Sequence, residues 1–319
     1  MRKLMRAVPI PGISGFKRGL MELFRKVHIV QVLFFVVLFA SCSTAPKRPP
    51  EVFVIQSMAD TLIGQANKEA DQGNFDEALM FLNEAWRLAV TTDRPALRIR
   101  VNLARASTLY SLGRVSEAED IWRSAEAEAT FGGEQLLASA CRVYRARSLL
   151  LDGKADPEET LALIYTEQPN FKNDRLLLAV SWTVKGMAEK ELGRYAEAEK
   201  SVHNALAIHT KENYLEQAGY DWYLIASIRS VSGNYRGGIQ ALYRALHYDR
   251  RAENTFGLAM DWAALGDVYR KLENENSASR SYRRSAEIFR AMDKQDYARE
   301  VESRIKQSDE QENAPRTKS

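Results

Sequence analysis

The sequence predicts an all-α solenoid of about six stacked helical hairpins, and three observations predict it. Gly73, Gly113, Gly153, Gly193 and Gly233 recur every 40 residues, with Glu273-Asn274 in the sixth place. Trp182, Trp222 and Trp262 keep the same spacing of 40. The neighbours of the glycines return with them: Gly73-Asn74-Phe75-Asp76-Glu77-Ala78, Gly113-Arg114-Val115-Ser116-Glu117-Ala118 and Gly193-Arg194-Tyr195-Ala196-Glu197-Ala198. A fixed period of this length marks a supersecondary unit that cannot bury its apolar face alone, so neighbouring units must stack. The 319 residues are 45% hydrophobic and 27% charged, enough for a continuous core.

The segment ahead of the repeats reads as an address. Residues 1–41 are predicted to be a signal peptide: Arg25-Lys26, then the apolar run from Ile29 to Ala40, then small residues at a cleavage site. Twelve apolar residues are short for a membrane-spanning helix, which needs about 20. An uncleaved N-terminal anchor is the alternative. Leu38-Phe39-Ala40-Ser41-Cys42 resembles the bacterial lipobox, with Phe39 where Leu is usual, and the resemblance implies lipid attachment at the Cys42 thiol. Two or three acyl chains would hold the protein firmly on a membrane. Initiation at Met21 gives a normal signal-peptide length, so residues 1–20 read as a mis-assigned start. Residues 42–51 form the lipid anchor and a tether, in which Pro46, Pro49 and Pro50 favour extended chain over helix.

The repeats proper run over 52–292. Their pattern resembles the tetratricopeptide repeat: an aromatic early in the first helix, a small residue four positions on, Gly at the turn, and Ala twice in the second helix. Here these are Trp182, Gly186, Gly193, Ala198 and Ala205 in one repeat, and Trp262, Gly266, Ala278 and Tyr282 in the last. The second repeat has Ala106, Gly113, Ala118, Trp122 and Ala125. The resemblance implies a right-handed α-solenoid whose concave face, formed by the first helices, binds a protein or peptide. A period six longer than the usual 34 predicts helices longer by about 4 to 5 Å each. The third repeat departs from the pattern. There Asp156-Pro157-Glu158-Glu159 predicts a helix start, with Asp as N-cap, Pro at the first turn and acids at the positive end. Residues 293–307 are predicted to be a capping helix, from Tyr297, Val301 and Ile305 on one face, and 308–319 a polar tail.

Charge and chemistry exclude several functions. Residues 1–41 hold seven basic residues and one acid, leaving 38 basic against 41 acidic from Cys42 on, so the overall +3 gives no argument for nucleic acid. His203, His209 and His247 pair with no Cys, Asp or Glu at a metal-ligand spacing, and no phosphate-binding or nucleophile motif occurs in the mature chain. No catalytic residue, metal or cofactor is assigned. Glu117, Glu119, Glu197 and Glu199 lie in first turns of helices, where the dipole favours acids. Cys141, the second of two cysteines, shares a helical apolar pattern with Leu137 and Tyr144 and reads as a buried, inert thiol.

Carried onto this chain, the binding positions of resembling repeats give Asn67, Tyr110, Arg147, Tyr220, Tyr223, Asp267 and Arg270 as candidate contacts. Tyr is an efficient interface anchor, and Arg147 and Arg270 suit a peptide carboxylate. The family's chaperone-tail clamp is not implied, because Ile63, Asn67, Ala104, Ala140 and Tyr144 do not make its Lys, Asn and Arg set. The expected function is a membrane-tethered interaction scaffold or adaptor in a bacterial envelope complex, with the folded domain in the periplasm and self-association open. The alternative is a transport accessory that docks a periplasmic solute-binding protein or carries a small apolar ligand.

Overall fold

The computed structural model describes residues 53–313, with side chains to Ile305. The predicted signal peptide, Cys42 and most of the tether lie outside the described residues. Thirteen α-helices are present among those described. They pair as hairpins: α1 (Val54–Asp71) with α2 (Phe75–Thr91), α3 (Pro95–Ser111) with α4 (Val115–Phe131), and α5 (Gln135–Leu151) with α6 (Pro157–Glu167). The series continues with α7 (Arg175–Glu191) and α8 (Tyr195–Lys211), α9 (Leu215–Val231) and α10 (Tyr235–Ala252), and α11 (Thr255–Lys271) and α12 (Glu275–Ala291). The last helix, α13 (Gln295–Asn313), runs six residues past the predicted end at 307, because the polar run after Ile305 offers no Gly or Pro to stop it before Pro315.

A helix of seventeen residues followed by a three-residue turn makes half the period, so the backbone repeats every 20 residues. Each regular helix ends in a residue of positive φ. Within hairpins these are Gly73, Gly113, Gly153, Gly193, Gly233 and Glu273, and between hairpins Asp93, Gly133, Asn213, Glu253 and Asp293. The N–H of the next residue then donates to the carbonyl five positions back, as Asn74 to Glu69 at 2.8 Å, Arg114 to Leu109 at 2.9 Å and Asn274 to Tyr269 at 3.0 Å. This Schellman closure satisfies carbonyls that the helix end would orphan. The 40-residue glycine marker is therefore every second member of a 20-residue series, in which other residues take the left-handed conformation.

Close approach inside each hairpin is set by paired sizes at equivalent positions. A Cβ on Gly266 would lie 2.3 Å from the Tyr282 ring, and one on Gly186 2.5 Å from Val202 Cγ2. In the second hairpin Ala106 and Trp122 hold these positions, both buried. The third hairpin breaks the pattern as predicted. Asp156 Oδ1 accepts from the Glu159 N–H at 2.9 Å, Pro157 opens α6, and the helix stops after eleven residues in a 3-10 turn, Gln168–Phe171. Phe171, fully buried, fills the space that the shortened helix leaves.

The stack curls far enough for its first turn to meet its end. The Lys294 Nζ, just ahead of α13, donates to the Gly73 carbonyl at 2.8 Å across 221 residues, and a Cβ on Gly73 would stand 3.1 Å from the Phe256 ring. Asp71, at the end of α1, shares a side-chain hydrogen bond with Glu216 at the start of α9, so one of these carboxyls carries a proton. The concave face is thereby enclosed by the chain itself.

Candidate functional site

The first helix of each hairpin lines the concave face. Its centre is occupied by Arg147 from α5, Met187 from α7, and Tyr220 and Tyr223 from α9. The Arg147 guanidinium lies 5.5 Å from the centre of the Tyr220 ring. Tyr220 and Tyr223 stack with centroids 6.4 Å apart and planes 19° apart, and the Tyr220 hydroxyl points at the Met187 sulfur at 3.9 Å. Both tyrosines and Arg147 are half-buried, whereas Met187 is buried. Arg147 makes no ion pair with a described carboxylate, although it lies in the field of Asp71 and Asp221. A cation stacked on a ring, without a carboxylate of its own, is ready to take an incoming anion bidentately. Burial and the neighbouring Tyr220 push the Tyr223 hydroxyl up to about 12, so it stays a neutral donor across the physiological range.

The other predicted contacts lie apart from this cluster. Asn67 is exposed on α1. Tyr110 is committed to the junction of the second and third hairpins, donating to Asp152 Oδ2 at 2.9 Å and packing on Trp122. Asp267 accepts from the Tyr282 hydroxyl at 2.8 Å and from Arg304 at 3.0 Å, and Arg270 stands 3.7 Å from the same carboxylate. Asp267 thus ties the cap α13 to the last hairpin, with Arg270 beside it on the same helix. Cys141 is buried, and burial pushes its thiol up to about 12, leaving it inert as a nucleophile near neutral pH.

Two buried pairs behind α9 were missed by sequence reasoning. Asp221 sits between Tyr220 and Tyr223 but points back into the junction with the preceding hairpin. There His209 Nδ1 meets its Oδ2 at 2.7 Å and the Thr183 hydroxyl donates to its Oδ1 at 3.1 Å. Burial raises the Asp221 carboxyl, and the His209 contact opposes that rise. Forty residues on, the same two positions are Asp249 and Asp261, both buried, which hydrogen-bond one another. Burial pushes Asp249 up to about 7, and burial together with Asp249 pushes Asp261 well above the ordinary range, so Asp261 is the protonated partner. Gly219 and Gly257 make the room: a Cβ on either would lie 2.3 or 2.5 Å from an Asp249 oxygen. The sequence signal was available, since His209 and Asp249, and Asp221 and Asp261, keep the period of 40.

Among the described residues no group of three or more His, Cys, Asp or Glu could hold a metal ion, and no helix is long and apolar enough to cross a membrane.

Comparison with known proteins agrees with this architecture. Residues 262–291 match the tetratricopeptide repeat family. No curated protein matches the chain in sequence. Among solved structures, a Rap protein complexed with competence and sporulation factor superposes with a TM-score of 0.56 at 16% identity, over 82% of this chain and 77% of that one. A signal-transduction ATPase with a tetratricopeptide repeat sensor from Pyrococcus horikoshii gives 0.53 at 14%, over 80% of this chain and 39% of that one. BtubC from P. vanneervenii gives 0.51 at 16%, over 74% and 92%. The chain is therefore a tetratricopeptide-repeat protein in fold, a solenoid of six long hairpins and a cap.

Proposed function

We propose that this chain is an interaction scaffold that holds a polypeptide segment in its enclosed concave channel, and that Cys42 tethers it to a bacterial envelope membrane. The observation that carries the first half is the Arg147, Tyr220 and Tyr223 cluster. It combines a cation without an ion pair among the described residues with stacked, half-buried aromatic rings, inside a surface that the chain closes over itself. Tyr and Arg dominate interface energetics because they bury large area at low entropic cost and keep polar tips. A backbone or C-terminal carboxylate on Arg147, with an apolar side chain against the tyrosines, is the complement this geometry supports. A Rap protein of the same fold was solved with a bound factor, which supports the reading by analogy of architecture. The tether rests on the lipobox-like Leu38–Cys42 and the proline-rich spacer after it.

Affinity capture from envelope extract tests the channel. The parent protein is expected to hold a partner that Tyr220→Ala/Tyr223→Ala and Arg147→Gln lose by tenfold or more, while circular dichroism stays helical. A partner retained by both variants would place binding elsewhere. For the tether, Cys42→Ser is expected to abolish incorporation of a clickable palmitate analogue and to release the protein from membranes. Unchanged labelling would remove Cys42 from the account.

A further inference from the structure

The outer face of the solenoid changes character along its length. The same register positions on the second helix of each hairpin face solvent. On α2 they hold Asp76, Met80, Asn83, Glu84 and Arg87, and on α4 Ser116, Asp120, Arg123 and Ser124. On α10 they hold Arg236, Gln240, Tyr243, Arg244 and His247, and on α12 Asn276, Arg280, Arg283, Arg284 and Glu287, with Arg250 and Arg290 a turn further along. The acids of the early helices are largely matched within the chain: Glu84 pairs with Arg87, Glu119 with Arg145 and Glu128 with Arg98. On the late face Arg290 pairs with Glu302, but three other arginines differ. Among the described residues no carboxylate pairs with Arg236, Arg244 or Arg284, and α10 has no exposed acid.

Aromatic rings are set into this basic face at the repeat period. Trp222, Arg229, Gln240, Tyr243 and Arg244 line a depression of about 340 Å3. The Trp222 indole Nε1 is buried there without an acceptor, and Tyr243 is 48% exposed. One repeat on, the Arg284 guanidinium stands 4.9 Å from the Trp262 ring. Arg229, by contrast, is held by Glu199 at 2.6 Å and forms the floor. Guanidinium groups with no carboxylate partner among the described residues, beside tryptophans on two successive repeats, present donors at a spacing that suits carboxylates along an extended chain, with rings to pack their stems.

We propose that the outer face of α10 and α12 is a second docking surface, independent of the concave channel, and that its occupant is an acidic polypeptide segment laid across the two helices with carboxylates on Arg244 and Arg284. Charge complementarity argues for an acidic occupant, and the depression beside Trp222 argues for a polypeptide. A convex, ridged face meets a flat lipid surface along a narrow strip, whereas a side chain enters a pocket.

The test is fluorescence anisotropy with the full chain in detergent and a labelled twelve-residue peptide alternating Glu with Gly and carrying one central Phe. Arg244→Glu/Arg284→Glu is expected to weaken binding at least tenfold and flatten its salt dependence. Arg87→Glu/Arg123→Glu, the same charge change on the early helices, is expected to leave it within twofold. Equal loss in both variants, binding unaffected by the first, or binding of phosphatidylglycerol vesicles or a single-stranded oligonucleotide but not the peptide, would each overturn the proposal. The Tyr220→Ala/Tyr223→Ala variant should bind the peptide as the parent does, which separates this surface from the channel.

Discussion

The junction behind Tyr220 and the junction one repeat later occupy the same positions and solve the same problem differently. In the earlier one, His209 and Thr183 satisfy both oxygens of Asp221. In the later one, Asp249 stands where His209 would be, and Tyr223 stands where Thr183 would be. Asp261 is left sharing a proton with Asp249, and its Oδ2 is buried without a partner. A third junction puts Phe289 and Val301 at these positions, both buried. A histidine–carboxylate hydrogen bond, a proton-sharing acid pair and an apolar contact all serve one backbone geometry. Under the proposed function Tyr223 serves the channel, and by taking Thr183's position it leaves the later acid without its hydrogen bond.

Breaking the earlier junction should have the largest effect. Asp221→Ala leaves the His209 ring nitrogen buried and unpaired beside a cavity where the carboxyl stood, and is expected to cost about 3–5 kcal/mol. Urea denaturation followed by circular dichroism measures it, and a cost below about 1 kcal/mol would show that the pair is dispensable. The later junction should instead show a pH signature. Its acids hold a proton more tightly folded than unfolded, since Asp249 is pushed up to about 7 while an unfolded Asp titrates near 3.9. That contribution is fully present below about pH 4 and lost as pH rises toward 7, a decline on the order of 3 kcal/mol. Asp249→Asn should flatten this decline and make the variant the more stable one at pH 8. An unchanged pH profile would remove the shared proton.

The turns leading out of these junctions sharpen the comparison at smaller scale. Asn213 and Glu253 both take positive φ, 60° and 56°, a region that Asn enters readily and Glu only at a cost. Glu253→Gly is therefore expected to raise stability by about 1 kcal/mol and Asn213→Gly by a few tenths, read as shifts in denaturation midpoint. Equal gains would contradict the strain argument.

The parts of this fold legible in sequence are those written in single residues at fixed spacing. Glycines at the hairpin turns, alanines at close approaches and the Asp156-Pro157 start all carry a local stereochemical reason that needs no partner. What was not legible depends on distance. The left-handed turns at Asp93, Asn213, Glu253 and Glu273 lack the glycine that would mark them. His209 and Asp221 are twelve residues apart on different helices, and only packing brings them together. The closure of Gly73 onto Lys294 and Phe256 depends on twist accumulated over five hairpins, which no short motif encodes. Of the seven contacts inferred by resemblance, Arg147, Tyr220 and Tyr223 converge. Asp267 is drawn to the cap by Arg304, whose position no repeat pattern specifies, and Arg270 stays beside it.

The central claim is that the enclosed channel beside Tyr220 and Tyr223 holds a polypeptide. A photo-crosslinking amino acid placed at Ser227, one turn beyond Tyr223 on α9, tests it in cells producing the full chain. A discrete polypeptide adduct, lost in an Arg147→Glu background that remains folded, is the predicted result. No adduct from the folded protein, or an adduct unchanged by Arg147→Glu, would contradict it.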